Sequence, residues 1–276
     1  MELARVIEDN VSAALTEDIG EGDWTAALTP EGRTSHASII SRTPAILCGE
    51  SWANECFRRL DPNMQLNWHA HDGAPLQAGA TVCDLSGNTR ALLTGERTAL
   101  NFLQTLSAVA TTTHRYVQAV AGTRAKIVDT RKTLPGLRIA QKYAVRTGGG
   151  TNHRMGLYDG VLIKENHIAA AGGIREALES ARTSAPSHVW IQIEVETFVQ
   201  LSEALAAGAT MILLDNMTPD QMREAVMLTA GRAELEASGG ITLDNVRAIA
   251  QTGVDRISIG SLTKDVQAID LSMRFS

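Results

Sequence analysis

The fold of this chain is decided by a stretch that opens with Ile191-Gln192-Ile193-Glu194-Val195-Glu196 and closes with Arg256–Gly260. Two further apolar runs lie between them, at Met211–Asp215 and Glu234–Ala237. The residues that separate the runs have the apolar spacing of amphipathic helices. Strand-like runs that alternate with helices at intervals of about twenty to thirty residues predict βα units and a parallel sheet that closes as a barrel.

Two more apolar runs extend this pattern upstream, at Lys126–Thr130 and Val161–Lys164. The strand count is then six or seven, which is fewer than the eight of a complete barrel. We therefore predict an incomplete α/β barrel, and an open doubly wound sheet is the alternative.

The first third of the chain has a different spacing of apolar residues. Residues 3–15 follow a helical period, whereas residues 36–48 and 64–93 form short strand-like stretches broken by glycine and proline. A long helix is expected after Thr94. We predict a separate N-terminal domain over residues 1–108 and the barrel domain over residues 109–276, with the C-terminal residues 271–275 as a candidate for packing back on the N-terminal domain.

The composition of the chain argues against several classes of function. The formal net charge of −6 argues against general nucleic-acid binding. We expect a cytoplasmic protein without membrane contact, because no apolar run approaches the length of a membrane span and the N-terminus lacks the features of a signal peptide. The three cysteines form no CxxC pair, which favours reduced thiols. His69 and His71 share a strand face, but no third metal ligand is evident near them.

Cations are concentrated between Asp129 and Asn166. The protein has five lysines, and three of them, Lys132, Lys142 and Lys164, fall in this segment together with several arginines. Few acidic residues separate them, although the protein as a whole is acidic. Such clustering predicts a site for a small, highly charged anion.

The residues at the ends of the predicted strands have the side chains that such a site would need. In a βα barrel the active site lies at the carboxyl ends of the strands. Arg131, Arg154 and Lys164 are suited to bind carboxylates, and Glu194 with Asp215 could hold Mg²⁺. The turns Ser238-Gly239-Gly240 and Gly260-Ser261 occupy the positions at which many barrels bind a phosphate group.

Some of these residues also have purely structural explanations. Asp215 could be a helix cap, since Pro219 suits a first helical position, and the paired glycines could be ordinary turns. Arg138, Lys142 and Arg146 would share one helix face, which could be solvated or could face a substrate.

The segment Asp129-Thr130-Arg131-Lys132-Thr133-Leu134-Pro135-Gly136-Leu137-Arg138 resembles the corresponding stretch of quinolinate phosphoribosyltransferases. The resemblance continues through Gly148-Gly149-Gly150, Asn152-His153-Arg154 and Lys164-Glu165-Asn166-His167, and it covers essentially the full length of the chain. It implies an N-terminal α/β sandwich followed by an incomplete α/β barrel. It also implies a homodimer in which the partner's N-terminal domain completes each active site.

The family reaction joins quinolinate to phosphoribosyl pyrophosphate (PRPP) with Mg²⁺ and gives nicotinate mononucleotide, pyrophosphate and CO₂, as a step of NAD biosynthesis. The resemblance implies that quinolinate is bound by Thr130, Arg131, His153, Arg154 and Lys164, with Arg97 reaching in from the neighbouring subunit.

The same resemblance gives roles to the PRPP side of the site. Lys132 would lie along the pyrophosphate, Glu194 and Asp215 would bind Mg²⁺ and the ribose hydroxyls, and Glu236 would line the pocket. The 5′-phosphate would be taken by Ser238, Gly239, Gly240, Gly260 and Ser261. Lys264 departs from some members, which have histidine there.

Three rival functions remain open on the sequence alone. One is a phosphoribosyltransferase for nicotinate or another pyridine or purine base, although the density of cations favours a diacid. Another is a barrel enzyme of a different reaction type that binds a sugar phosphate. The third is a catalytically silent anion-binding paralogue, against which the pair Glu194 and Asp215 argues.

Overall fold

The computed structural model describes residues 3–276, which form two compact units. The first unit contains residues 3–114, 133–149 and 262–276, and the second contains residues 115–132 and 150–261. The elements in chain order are α1 (Leu3–Ile19), β1 (Thr34–Ser41), β2 (Ala45–Ile46), α2 (Glu50–Leu60), β3 (Gln65–Trp68), β4 (Pro75–Leu76), β5 (Thr81–Asn88), α3 (Thr89–Ala119), β6 (Lys126–Val128), α4 (Arg138–Thr147), β7 (Gly160–Ile163), α5 (Glu165–Ala171), α6 (Ile174–Ser184), β8 (Trp190–Val195), α7 (Phe198–Ala206), β9 (Met211–Asp215), α8 (Pro219–Thr229), β10 (Glu234–Ser238), α9 (Val246–Ala250), β11 (Arg256–Ser258), α10 (Ser261–Lys264) and β12 (Leu271–Phe275).

An antiparallel sheet forms the centre of the first unit. Its strand order is β12-β1-β5-β3, so the last strand of the chain pairs with the first, and Ile39 lies opposite Met273. The inner face of β1 buries Ala37 and Ile39, because alternate residues of a strand point to the same side. His69 and His71 do not converge on a metal: His69 pairs with Asp84 and His71 with Glu50.

A parallel sheet forms the centre of the second unit. Within the described residues it has six strands in the order β6-β11-β10-β9-β8-β7. Four consecutive strands, β7 to β10, pair with their neighbours in sequence through intervening helices, which is the pattern of repeated βα units. The prediction of an incomplete α/β barrel is therefore confirmed.

The apolar runs of the sequence become the buried strands of this sheet. Ile193, Ile212 and Leu214 are completely buried, and full burial of one such side chain contributes about 1.5–3 kcal/mol. Capping boxes start the helices after two of the strands, at Thr197 for α7 and Thr218 for α8. Sheet and caps together hold the strand ends at fixed positions.

The two units do not follow a single cut in the sequence. Residues 133–149 and 262–276 belong to the first unit although they lie beyond residue 108. The domain boundary near residue 108 stays a prediction. Within residues 3–276, no helix has both the length and the apolar character needed to cross a membrane.

Candidate active site

Most of the predicted site residues lie in the second unit, at one edge of its sheet. Parallel strands end at the same edge, so residues in the last part of each strand, or directly after it, come close together. These residues are Thr130, Arg131, Lys132, Lys164, Glu194, Asp215, Glu236, Ser238, Gly239, Gly240, Gly260 and Ser261.

Lys164 and Glu194 form an ion pair across two neighbouring strand ends. Lys164 Nζ donates to Glu194 Oε2 at 2.8 Å. The lysine side chain is 45% exposed, whereas that of Glu194 is only 10% exposed. The backbone N–H of Lys164 donates to His167 Nδ1 at 3.0 Å, which fixes the start of α5. The ammonium group is thus held in place while one side of it remains accessible to an anion from solvent.

Asp215 ends β9, the strand next to that of Glu194. Burial raises the pKa of Asp215, and nearby Glu196 raises it further, while Lys164 lowers it. The side-chain amide of Asn216 donates to Asp215 Oδ2 at 2.8 Å and orients the carboxylate. A cation placed beside this group would favour its ionised form.

The carboxylates of Glu194 and Asp215 are hard oxygen donors of the kind that Mg²⁺ prefers. Among residues 3–276, no group of three or more histidine, cysteine, aspartate or glutamate side chains is arranged to hold a metal ion. Two protein carboxylates nevertheless fit an ion that shares its remaining positions with water and substrate phosphates. The donor set is therefore compatible with a substrate-bridged Mg²⁺.

A chain of buried polar groups lies beneath the cationic part of this edge. His153 Nε2 lies 3.0 Å from Gln192 Oε1, and Gln192 Nε2 donates to Glu236 Oε2 at 3.1 Å. Arg256 Nε lies 3.1 Å from the same carboxylate oxygen. Gln192 and Glu236 are 0% and 1% exposed, so the hydrogen bond between them and the ion pair with Arg256 offset part of the cost of burying these groups.

The two neighbours of His153 define its tautomer. The backbone N–H of Arg154 donates to Nδ1 at 2.8 Å, so this nitrogen accepts. Nε2 then carries the proton and donates to the side-chain amide oxygen of Gln192, Oε1. The backbone of His153 is itself anchored, because its N–H donates to the buried carboxylate of Asp129 at 2.8 Å.

Arg131, Arg154 and Lys164 share a cavity of about 730 Å³. Arg154 Nη1 donates to the carbonyl oxygen of Gly160 at 3.0 Å, which directs its guanidinium along β7. Burial lowers the pKa of Arg154, and the positive charge of Arg131 lowers it further. The carboxylate of Asp159 raises this pKa. Two guanidinium groups that line one cavity are suited to bind an anion.

Two glycine turns follow β10 and β11. Gly239 and Gly240 have φ values of +101° and +61°, which side-chain-bearing residues rarely adopt. A Cβ atom on Gly239 would lie 2.1 Å from Asn216 Oδ1, so only glycine fits this turn. A Cβ atom on Gly260 would lie 3.1 Å from Lys132 Cδ, which places the side chain of Lys132 across the second turn. A cation therefore lies beside backbone that is open enough to approach an anion.

Two predicted residues lie in the first unit. Arg97 is an exposed residue of α3, and Lys264 ends α10, where Nζ contacts the carboxylate of Asp265 at 3.0 Å. The roles of both side chains stay predictions.

The helix face of Arg138, Lys142 and Arg146 is not a solvated stripe. Lys142 is completely buried, Arg138 is half-buried and Arg146 is exposed. A fully buried lysine is rare unless it is paired, so Lys142 has a specific structural or functional role.

Sequence reasoning missed the buried chain that supports the site. The sequence pattern places Gln192 within an apolar strand and Arg256 at the start of another. The available signal was a polar residue between two isoleucines, Ile191 and Ile193, in a strand covered on both faces. A polar group at such a position must find a buried partner.

An incomplete α/β barrel whose strand ends combine a cationic cavity, two carboxylates and two open glycine turns defines an enzyme class that acts on small carboxylated and phosphorylated anions. The model of the quinolinate phosphoribosyl transferase C-terminal domain matches residues 109–274, and that of the N-terminal domain matches residues 23–107. The chain belongs to the quinolinate phosphoribosyl transferase family.

Individual relatives agree with this assignment. A Bacillus subtilis protein named "Probable nicotinate-nucleotide pyrophosphorylase (carboxylating)" is 48% identical over 93% of this chain and 89% of its own length. A Nicotiana tabacum protein named quinolinate phosphoribosyltransferase (decarboxylating) 2a, mitochondrial, is 39% identical over 95% of this chain and 80% of its own. The solved structure of the nicotinate-nucleotide pyrophosphorylase from Francisella tularensis superposes with a TM-score of 0.95 at 44% identity, covering 99% of this chain and 97% of that one.

Proposed function

We propose that this protein transfers the phosphoribosyl group of PRPP to quinolinate with loss of CO₂, giving nicotinate mononucleotide and pyrophosphate for NAD biosynthesis. The observation that carries the proposal is the cavity lined by Arg131, Arg154 and Lys164 in a chain of this family, because Lys164 also pairs with Glu194 on the neighbouring strand. A diacid needs several cations, and a sugar diphosphate needs carboxylates that tolerate a metal ion.

The diacid is bound by charge and by shape. The guanidinium groups of Arg131 and Arg154 can each form two parallel hydrogen bonds with a carboxylate, whereas Lys164 supplies a point charge. Val161 and Ile163 line the same cavity and offer apolar surface to an aromatic ring. Thr130 and His153 complete the proposed quinolinate set.

The ribose side of the site is formed by the carboxylates and the glycine turns. Glu194 and Asp215 would hold Mg²⁺, which on binding neutralises charge on the leaving pyrophosphate. The backbone of Ser238-Gly239-Gly240 and Gly260-Ser261 would accept the 5′-phosphate. Lys132 lies against Gly260 and can interact with phosphate oxygens at this end. Glu236, which the resemblance places along this pocket, is 1% exposed and accepts a hydrogen bond from Gln192, so we give it a supporting role beneath the strand ends.

Catalysis then rests on positioning and electrostatics. The bond from ribose C1′ to pyrophosphate oxygen breaks and its electron pair leaves with the pyrophosphate. Glu194 and Asp215 stabilise the positive charge that develops on the ribose, and the pyridine nitrogen of quinolinate forms the new bond to C1′. The cationic ring then accepts the electron pair released when the adjacent carboxylate leaves as CO₂, and a proton replaces it on the ring carbon.

The active assembly is proposed to be a homodimer. Arg97 is exposed on α3, and in the proposed arrangement it enters the partner's quinolinate site. A cytoplasmic location is proposed as well, because Cys48, Cys56 and Cys83 are buried free thiols, as expected in a reducing compartment.

The reaction itself is the first prediction to test. Purified protein is mixed with PRPP and Mg²⁺ and with either quinolinate or nicotinate, and both mononucleotide and CO₂ are measured. We expect equal amounts of mononucleotide and CO₂ from quinolinate, and turnover that stops when the metal is chelated. Product from nicotinate alone would overturn the diacid assignment, and a lack of product from both would favour a silent anion-binding paralogue.

A further inference from the structure

The buried chain of His153, Gln192 and Glu236 has a consequence for substrate recognition. Gln192 has no route to solvent, since it is completely buried in β8. Its amide joins two groups of different character, the imidazole of His153 at 3.0 Å and the carboxylate of Glu236 at 3.1 Å. A buried amide with both ends bonded restricts each partner to one orientation.

The orientation of the Gln192 amide follows from the carboxylate. Glu236 lies 3.1 Å from Arg256 Nε and needs donors, so it receives the N–H₂ end of Gln192. The carbonyl end therefore faces His153 and selects the imidazole tautomer with its proton on Nε2. Only this tautomer leaves Nδ1 as the acceptor for the backbone N–H of Arg154, at 2.8 Å.

The position of Arg154 depends on that last bond. Its backbone is held by His153, and its guanidinium is held by the carbonyl oxygen of Gly160 at 3.0 Å. These two anchors aim the side chain into the cavity that it shares with Arg131 and Lys164. The ring of His153 is further fixed by edge-to-face packing on Trp190, with centroids 4.9 Å apart.

We infer that Gln192 is a positioning residue for the diacid site, which acts through the tautomer of His153 on the placement of Arg154. The inference rests on the proposed function and adds to it a residue that does not itself reach the cavity. A loss of geometry at Arg154 weakens binding of the diacid and leaves the PRPP side of the site almost unchanged.

The test uses Gln192→Met, which keeps the volume and removes both hydrogen bonds. We expect the Kd for quinolinate, measured by calorimetry without PRPP, to rise at least tenfold, while the KM for PRPP changes less than twofold. The control is Thr252→Val, which removes another buried side-chain hydrogen bond, from Thr252 to the carbonyl oxygen of Ile249, and should leave both constants unchanged.

A double-mutant cycle separates this role from a general loss of stability. In a His153→Phe background the ring packing remains but the tautomer is gone, so Gln192→Met should weaken quinolinate binding by less than a further twofold. Effects that multiply instead would overturn the inference, because Gln192 would then act independently of His153.

A spectroscopic readout requires no folded variant at position 192. Nitrogen chemical shifts of histidine-labelled wild-type protein, assigned with His153→Phe, should show His153 as the Nε2–H tautomer. The Nδ1–H tautomer would overturn the inference. If wild-type protein binds no quinolinate at all, the proposed function is wrong. If wild-type protein binds quinolinate and the Gln192→Met variant has the same Kd, only the inference about Gln192 is wrong.

Discussion

At the scale of single residues, the candidate site brings the cations Arg131, Arg154 and Lys164 to one cavity. Burial lowers the pKa of Arg154, the nearby charge of Arg131 lowers it further, and the carboxylate of Asp159 raises it. Glu194 pairs with Lys164, whose side chain remains 45% exposed. In the proposed complex, a dianion bound between these groups would offset the repulsion between Arg131 and Arg154.

The residue-scale prediction concerns Arg131→Ala. We expect quinolinate binding to be lost while PRPP binding is largely retained, because the change removes one guanidinium from the cavity and leaves the glycine turns intact. A charged hydrogen bond contributes about 1.5–3 kcal/mol, so a bidentate pair accounts for a Kd increase of more than a hundredfold. Calorimetric titration with each substrate separately is the measurement.

The matched control for this prediction is Arg223→Ala on α8. Arg223 is a surface arginine that pairs with Asp220 one helical turn away, so its removal tests the loss of an arginine without touching the cavity. Equal loss of quinolinate and PRPP binding in Arg131→Ala would contradict the separate roles of the two subsites.

At the scale of secondary structure, the turns that follow the strands position the predicted site residues. The helices α7 and α8 begin with capping boxes, while the backbone after β10 passes through two glycines with positive φ. Asn216, also at positive φ, packs its side-chain oxygen against the first of these glycines and holds Asp215 through its amide. One side chain thus links the carboxylate subsite with the proposed phosphate turn.

The element-scale prediction is that Gly239→Ala raises the KM for PRPP more than tenfold. The new Cβ would lie 2.1 Å from Asn216 Oδ1, and φ is +101°, so both the turn and Asn216 must move. The Kd for quinolinate should change less than twofold, because the cationic cavity is formed by other elements.

Gly231→Ala is the control for backbone strain. Gly231 has φ of +75° with nothing within 4 Å of its Cβ position, so the variant carries a comparable strain of about 1 kcal/mol without the collision. If Gly231→Ala raised the KM for PRPP as much as Gly239→Ala, loss of stability rather than loss of turn geometry would be the cause.

At the scale of the whole molecule, each unit has its own sheet. In the first unit the C-terminal strand β12 pairs with β1, so residues from both ends of the sequence build one antiparallel sheet. In the second unit the strand ends carry nearly all predicted contacts to substrate. Arg97 is the exception, and the proposed homodimer explains why an exposed arginine of α3 would belong to the site.

The molecular-scale prediction is complementation between two inactive variants. Arg97→Ala and Lys164→Ala should each have very low activity with quinolinate. In a shared site, the first change removes a residue from the partner's site, and the second removes a residue from the subunit's own site. Coexpression should restore roughly one quarter of wild-type activity, because half of the dimers are mixed and each mixed dimer has one intact site. Mixtures that stay inactive would show that Arg97 acts within its own subunit or not at all.

Several features of the fold and of the candidate site can be predicted from particular residues of the sequence. Ile191–Glu196 and the runs after it identify parallel strands because each strand of a doubly covered sheet is apolar along its length. The same runs predict which residues come last, and hence that Lys164, Glu194 and Asp215 meet at one edge. Resemblance to the family then supplies the substrates, which no spacing rule could identify.

The tertiary structure alone decided which polar groups support that edge. The sequence near Lys142 allows a solvated face or a substrate-facing one, and only packing shows the side chain to be completely buried. Gln192, Glu236 and Arg256 come from three strands: a hydrogen bond joins Gln192 to Glu236, 44 positions away, and an ion pair joins Glu236 to Arg256. Local periodicity reports the face on which a side chain lies, whereas a buried polar contact depends on the register between strands, which is set by the packing of the whole sheet.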